Sequence, residues 1–150
     1  MNSSYSFDGN DLITQNGIFS GMAQEFTLHA LITPTTVTGA TRRILMSTND
    51  RIGIHIDTLG KFLGYVYDTT YRTITLSPTA IPSTTYHLGL TYKNNTLTMY
   101  LDGISQGTLA VTGPIVAATD AYIGNWSSLA QGFIGKIDEW EFSTTARDAA

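Results

Sequence analysis

Residues 84–109, TTYHLGLTYKNNTLTMYLDGISQGTL, decide the fold because they contain three strand-like runs separated by two turn signals. Apolar residues alternate with other residues in Tyr86–Tyr92 and again in Thr96–Leu101, which is the two-residue period of a half-buried β-strand. Lys93-Asn94-Asn95 permits a chain reversal, and Asp102-Gly103 is a dipeptide favoured in type I′ hairpin turns. This stretch therefore predicts a β-meander.

The rest of the chain continues this pattern of short extended runs separated by Gly, Pro and Asn. About a dozen strands are expected, more than an immunoglobulin sandwich contains. Helical periodicity is nearly absent, and one helical turn is expected near Thr144–Asp148. The sequence therefore predicts a single all-β domain over residues 1–150, an antiparallel sandwich or barrel.

The composition excludes several classes of function. Charged residues make up 13% of the 150 residues, against roughly 25% in soluble domains, so Thr, Ser and Asn must cover the surface. The net charge is −4 and the eight Lys and Arg are scattered, which argues against binding nucleic acid or another polyanion. The chain has no cysteine, which excludes disulfides, thiolate metal sites and a cysteine nucleophile.

The expected location is the cell exterior or a virion surface. The first ten residues have neither a basic nor an apolar region, so no signal peptide is expected. No apolar run approaches the length of a membrane span. We expect either a module of a longer chain or a small protein that leaves the cell by lysis, as phage structural proteins do.

Four stretches carry a family resemblance. They are SYSFDGNDLI (4–13), EFTLHALITP (25–34), TYHLGLTYKNNTLTMYLDG (85–103), and YIGNW (122–126) followed by FIGKIDEWEFSTTARDAA (133–150). Together they resemble the concanavalin A-like jelly rolls, specifically the laminin-G-like domains of bacteria and phages, although Leu31 replaces a usual aromatic residue. The resemblance implies two stacked, curved antiparallel sheets with adjacent terminal strands. It also implies ligand binding on the concave face or the rim loops.

The resemblance further implies a structural calcium ion held by Asp138 together with Asp8, the carbonyl of Gly9, and Asp11. Calcium takes roughly six to eight oxygen ligands, which carboxylates, carbonyls and water can supply. The alternative is that Asp8 and Asp11 form Asx-type turns and that Asp138 bonds neighbouring backbone. Both interpretations stay open at this point.

Catalytic signatures are weak. Glu139 and Glu141 share a strand face, and a pair of this kind can supply the acid and the nucleophile of a glycosidase, but the chain lacks the E-x-D-x-E strand of the glucanases. The three histidines form no His-x-His pair, and no G-x-S-x-G elbow is present. The sequence therefore predicts a protein that is not an enzyme.

Loop aromatics are the candidate ligand-binding residues. Trp126, flanked by Asn125 and Ser127, offers a flat apolar ring for a pyranose and neighbours that can bond hydroxyl groups. Tyr71 and Arg72 form a similar group at the end of another loop. Alternatively, Trp126 closes one end of the core. Two functions follow: a carbohydrate-binding module, which a phage tail or virion surface can carry, or a viral structural protein that binds another protein.

Overall fold

A computed structural model describes residues 4–19, 25–116 and 119–147, and within them twelve strands form two antiparallel sheets of six strands. The strands are β1 (Tyr5–Asp8), β2 (Ile13–Gln15), β3 (Phe26–Pro34), β4 (Arg42–Ser47), β5 (Ile52–Ile56), β6 (Lys61–Tyr67), β7 (Tyr71–Thr79), β8 (Tyr86–Lys93), β9 (Thr96–Leu101), β10 (Ile104–Ala110), β11 (Ala121–Ile123) and β12 (Ile134–Ser143). Sheet A has the order β1-β12-β3-β8-β9-β10, and sheet B has the order β2-β11-β4-β5-β6-β7. The predicted all-β antiparallel sandwich is confirmed.

The meander forms one side of sheet A. The register pairs Leu90 with Met99, so the apolar residues of β8 and β9 lie on the same face. Asn94 and Asn95 have φ of 50° and 58°, and Asp102 has φ of 51°. Consecutive positive φ values are what type I′ turns require, and Asn and Asp tolerate them better than most residues. The predicted turns are therefore present.

Inward-facing residues of both sheets form the core between them. Leu90 and Met99 are fully buried, and they contact Gly64 of β6 in the opposite sheet. A Cβ atom on Gly64 would lie 2.7 Å from Leu90 Cδ1 and 3.0 Å from Met99 Sδ. Glycine at this position therefore lets sheet B pack directly on the meander.

The first and last strands are adjacent in sheet A, as the resemblance implies, because β1 pairs with β12. The helical turn predicted near Thr144–Asp148 is wrong for residues 144–147, and Asp148 lies outside the described residues. The hydroxyl of Thr27 on β3 donates to the Thr145 carbonyl at 2.8 Å and accepts from the Arg147 amide at 2.9 Å. These bonds fix the segment against β3. The described residues contain no helix, and hence none able to cross a membrane.

Asp68 joins the two sheets at the end of β6. Its donors are the backbone N–H groups of Thr69, Thr70, Thr112 and Gly113 and the guanidinium group of Arg72. The side chain is inaccessible to solvent. The Thr69 N–H, helped by the other donors, holds the pKa of Asp68 well below its usual value. The carboxylate thus ties the β6–β7 turn to the segment that follows β10.

We expect Asp68→Asn to make the stability of the fold depend less on pH below about pH 4. Because the folded pKa lies below the unfolded reference of 3.8, the carboxylate stabilises the fold above that pH. The contribution is lost as the pH falls from about 4 towards the folded pKa. Thermal unfolding followed by circular dichroism should show a steeper fall in Tm for the wild type than for the variant. Glu25→Gln, which removes the same charge, should keep the wild-type slope; parallel curves for Asp68→Asn would contradict this role.

Candidate functional site

A shallow cleft of about 310 Å³ lies on sheet B. Its lining residues are Arg43, Asp50, His55, Leu63, Tyr65, Tyr71 and Thr73. Phe62 and Val66 of β6 are fully buried in the core. Because successive side chains of a strand point to opposite faces, Leu63 and Tyr65 must face outward. The cleft therefore lies on the outer face of sheet B, away from sheet A.

Tyr65 forms the floor of the cleft because β5 has a glycine at the paired position. Tyr65 pairs with Gly53 across β5 and β6, and a Cβ atom on Gly53 would lie 2.7 Å from Tyr65 Cζ. The ring therefore lies over the bare backbone of Gly53 and is only 3% exposed. The neighbouring ring of Tyr71, 5.8 Å away between centroids, is 51% exposed and forms one wall.

A network of hydrogen bonds connects the polar groups of the cleft. Arg43 donates from Nη1 to Asp50 Oδ1 at 3.1 Å and to Tyr65 Oη at 2.9 Å, and from Nε to Gln131 Oε1 at 2.8 Å. Tyr65 Oη donates to Asp50 Oδ1, and Tyr71 Oη donates to Asp50 Oδ2 at 3.2 Å. Asp50 and Arg43 thus neutralise each other, and both side chains are held in place before any ligand arrives.

The environment of the cleft sets the charges of its titratable groups. Burial raises the pKa of Tyr65 well above its usual value, and Asp50 adds to the rise against the opposing effect of Arg43. Burial, and then the charge of Arg43, lower the pKa of His55 to about 4. His55 Nδ1 has no hydrogen-bond partner among the described residues. At neutral pH the cleft therefore combines one compensated ion pair with neutral Tyr and His side chains.

Trp126 lies beside this cleft, in the loop after β11, and is partly exposed. The guanidinium carbon of Arg43 is 5.9 Å from the centroid of the Trp126 ring and 5.8 Å from that of Tyr65. The Trp126 ring also packs edge-on against Tyr122 of β11 at 6.1 Å. The structure thus places two of the predicted residues, Trp126 and Tyr71, on opposite sides of Arg43 and Tyr65, and it places Trp126 outside the core.

Asn125 has a different position from the one predicted. It is fully buried, its Nδ2 donates to the Gly9 carbonyl at 3.0 Å, and its Oδ1 accepts from the amides of Trp126 at 2.8 Å and Gln131 at 3.2 Å. A side chain used in this way is not accessible to a ligand. Asn125 instead holds the loop so that Gln131 reaches Arg43, while the adjacent Ser127 is exposed.

Arg72 also lies outside the cleft, which corrects its grouping with Tyr71. It pairs with core residue Val66 in the register of β6 and β7, so it faces inward at the end of the strand. There its Nε bonds Asp68 Oδ2 at 3.0 Å. Neighbouring residues of one strand point to opposite faces, and only Tyr71 remains on the outer face.

The four predicted calcium ligands bond to protein groups. Asp11 Oδ2 accepts from the Asp8 amide at 2.8 Å, and Asp138 Oδ1 accepts from the amide of the next residue at 2.8 Å. The Gly9 carbonyl accepts from Asn125, and Asp8 Oδ1 accepts from the Asn10 amide, also at 2.8 Å. These are the Asx-type turns and local backbone bonds of the alternative interpretation.

The strand register separates these carboxylates. Tyr5 pairs with Ile137 and Asp8 with Ile134, so Asp138 lies about four residues, or roughly 13 Å, along the strands from Asp8. Oxygens that share a calcium ion lie within roughly 5 Å of each other, because each is about 2.3–2.6 Å from the metal. In the described parts of the chain, no group of three or more His, Cys, Asp and Glu residues is arranged to hold a metal. The four-residue site does not fit this geometry.

Sequence reasoning missed most of the polar residues of the cleft. Arg43, Asp50 and Gln131 come from strand β4, the β4–β5 turn and the loop after β11, and only the fold brings them together. One signal was available, since the two-residue period places Tyr65 and Tyr67 on the same face of a strand.

A family comparison matches this architecture to a known group. The family model described as the concanavalin A-like lectin/glucanases superfamily matches residues 7–150. The chain belongs to this superfamily. The resemblance inferred from the four sequence stretches is therefore confirmed. No curated protein sequence matches the chain significantly.

Solved structures of low sequence identity share the fold. Domain 4 of an extracellular arabinanase of Geobacillus stearothermophilus, in complex with arabinotriose, has a TM-score of 0.77 at 15% identity, covering 95% of this chain and 71% of that chain. Mouse laminin α1 domains LG4-5 have a TM-score of 0.77 at 11% identity, and the match covers 95% of this chain and 42% of the laminin chain. The CBM40 of a Ruminococcus gnavus sialidase, bound to α2,3-sialyllactose, has a TM-score of 0.72 at 12% identity. The match covers 97% of this chain and 90% of the CBM40 chain. The chain thus spans less than half of the laminin fragment.

We expect millimolar calcium to leave the Tm of this protein unchanged, because the predicted ligands do not converge on one ion. A ligand that binds the folded state alone raises stability through linkage, so thermal unfolding with calcium or with a chelator measures the effect. A calcium-dependent rise in Tm that Asp138→Asn abolishes would show that the four-residue site forms after all.

Proposed function

We propose that this chain is a non-catalytic carbohydrate-binding module and that the outer cleft of sheet B is its sugar site. The observation that carries the proposal is the placement of two accessible aromatic rings, Tyr71 and Trp126, around the fixed Arg43–Asp50 pair. Sugar rings have apolar C–H faces and polar edges. A site with aromatic surfaces and a few convergent polar groups matches both.

The polar groups match sugar hydroxyls in type as well as in position. A hydroxyl group both donates and accepts hydrogen bonds, and the cleft presents a carboxylate acceptor in Asp50 next to a guanidinium donor in Arg43. Gln131 and Tyr65 hold Arg43 in place. Little side-chain freedom is therefore lost on binding, which favours affinity. Ser127, exposed beside Trp126, adds a hydroxyl group at the edge of the site.

The absence of a second carboxylate in the cleft supports binding without hydrolysis. Glycoside hydrolysis generally uses two carboxyl groups on either side of the scissile bond, and Asp50 is the one carboxylate among the residues lining this cleft. Glu141, considered above as half of a catalytic pair, lies on sheet A. There it bonds His29 at 2.9 Å and forms an ion pair with Arg147.

The comparisons support the general class of ligand. The arabinanase domain and the sialidase CBM40 are named as complexes with arabinotriose and sialyllactose. An extracellular or surface location for this chain agrees with these structural neighbours, which share its fold. The finer placement on a phage tail or virion rests on the cysteine-free, Thr-rich, Ser-rich and Asn-rich composition. The alternative function is a virion structural protein that binds another protein through the same surface.

A glycan array identifies the ligand. We expect Tyr71→Ala and Trp126→Ala each to lower the affinity for this ligand about tenfold or more, which is a loss of about 1.4 kcal/mol of binding free energy. Each substitution removes a ring that the sugar would cover. Isothermal titration calorimetry with the array ligand measures the effect. Both variants should unfold in urea within about 1 kcal/mol of the wild type, because neither ring is in the buried core.

Tyr5→Ala is the matched control. Tyr5 is 49% exposed, almost the same as Tyr71 at 51%, but it lies on sheet A against Trp140. Its loss should leave glycan affinity unchanged. An equal loss of glycan affinity in all three variants, or the absence of glycan binding across the array, would overturn the proposed function and favour the protein-binding alternative. A drop of several kcal/mol in the stability of Trp126→Ala would make Trp126 a structural residue.

A further inference from the structure

A second cleft, of about 250 Å³, lies beside the proposed sugar site. Its lining residues are Asn49, Arg51, Tyr67, Asp68 and Val116. The Tyr71 ring, which forms a wall of the first cleft, is 5.0 Å from the ring of Tyr67 between centroids. The exposed Tyr71 ring therefore separates two adjacent clefts on the same side of the molecule, and a ligand longer than one sugar unit would pass over it.

The β4–β5 turn supplies consecutive residues to the two clefts. Asp50, with φ of 57°, lines the first cleft, and its neighbours Asn49 and Arg51 line the second. Asn49 is itself anchored, because its Nδ2 donates to the Val116 carbonyl at 3.1 Å and its Oδ1 accepts from the Ser47 hydroxyl at 3.0 Å. One rigid turn thus sets the distance between the two sets of polar groups.

Arg51 is the distinguishing residue of the second cleft. Its guanidinium carbon lies 3.8 Å from the centroid of the Tyr67 ring. Its backbone is held on both sides, since its amide donates to Ser47 Oγ at 2.9 Å and its carbonyl accepts from the Tyr67 amide at 2.7 Å. Stacking on an aromatic ring uses the face of the guanidinium group and leaves its N–H donors available.

Arg51 also differs from its neighbours in charge compensation. Arg43 pairs with Asp50 at 3.1 Å and Arg72 pairs with Asp68 at 3.0 Å, whereas Arg51 has no carboxylate within ion-pair distance in the described ranges. Asp68 lines the same cleft, but its side chain is inaccessible to solvent and already accepts four backbone N–H bonds. The second cleft therefore presents an uncompensated positive charge.

We propose that the second cleft is a subsite for one anionic sugar unit, carrying a carboxylate or a sulfate group, whose neighbouring unit occupies the first cleft. This inference rests on the proposed function of the first cleft. Guanidinium groups bind carboxylates and sulfates through charge-assisted, often bidentate hydrogen bonds. In the first cleft Asp50 already compensates the charge of Arg43, so the uncompensated Arg51 gives the acidic unit one favoured position.

The overall charge of the protein fits a single acidic unit. A net charge of −4 disfavours a densely charged polyanion, as the composition indicates, while the uncompensated guanidinium group of Arg51 can bind one anionic group. The ligand class that follows is an oligosaccharide of mixed neutral and acidic units.

The test is an array of matched pairs, in which each acidic oligosaccharide is accompanied by its carboxyl-reduced or desulfated counterpart. The wild type should prefer the acidic member, with an affinity that falls as salt is raised. Arg51→Gln should lower the affinity for the acidic member about tenfold or more and leave the neutral member unchanged. Arg51→Lys, which keeps the charge, should retain part of the preference.

Lys136→Gln is the control for charge, because it removes one positive charge from an exposed position on sheet A. It should not change the preference. If the chain binds glycans through Tyr71 but treats both members of each pair equally, the second subsite is wrong and the proposed function stands. The second subsite is also wrong, and the proposed function again stands, if Arg51→Gln leaves both the Tm and the affinity for the acidic member unchanged. If no glycan binds at all, both proposals fail together.

Discussion

The contact of Gly64 with Leu90 and Met99 is the constraint on which the rest of the architecture depends. It joins β6 of sheet B to the meander of sheet A without an intervening side chain. Because Gly64 of β6 faces inward, the two-residue period of the strand places Leu63 and Tyr65 on the outer face. The floor of the candidate site is therefore a consequence of core packing, since the same strand supplies both.

Loops complete the site, and buried polar groups hold those loops. The Asn125 carboxamide bonds three backbone groups, which brings Gln131 to Arg43, and Asp50 accepts from Arg43 and two tyrosines. Buried polar groups are costly unless they are paired. The hydrogen bonds of Asn125 and Asp50 therefore fix the loops around Arg43 before any ligand arrives.

The elements that sequence reasoning predicted well are those specified by local chemistry. The meander follows from alternation and from Asn and Asp in turns, and both are present. The errors concern residues whose partners are distant in the chain. Asn125 has the chemistry of a ligand contact, but it bonds Gly9, 116 residues earlier. Arg72 bonds the nearby Asp68, which itself accepts from Thr112 and Gly113, more than 40 residues later. The expected helical turn near Thr144 is replaced by bonds to Thr27, 118 residues earlier.

The sequence by itself determined the class of fold and the meander, and it singled out Trp126 and Tyr71 as candidate contact residues, because strand period, turn residues and side-chain chemistry are local properties. Only the tertiary structure decided that these two rings belong to one site, that Arg43 and Asp50 lie between them, and that Asp8 and Asp138 are far apart. These relations depend on strand order and register. Register comes from packing two sheets across a shared core, and no single stretch of the chain contains that information.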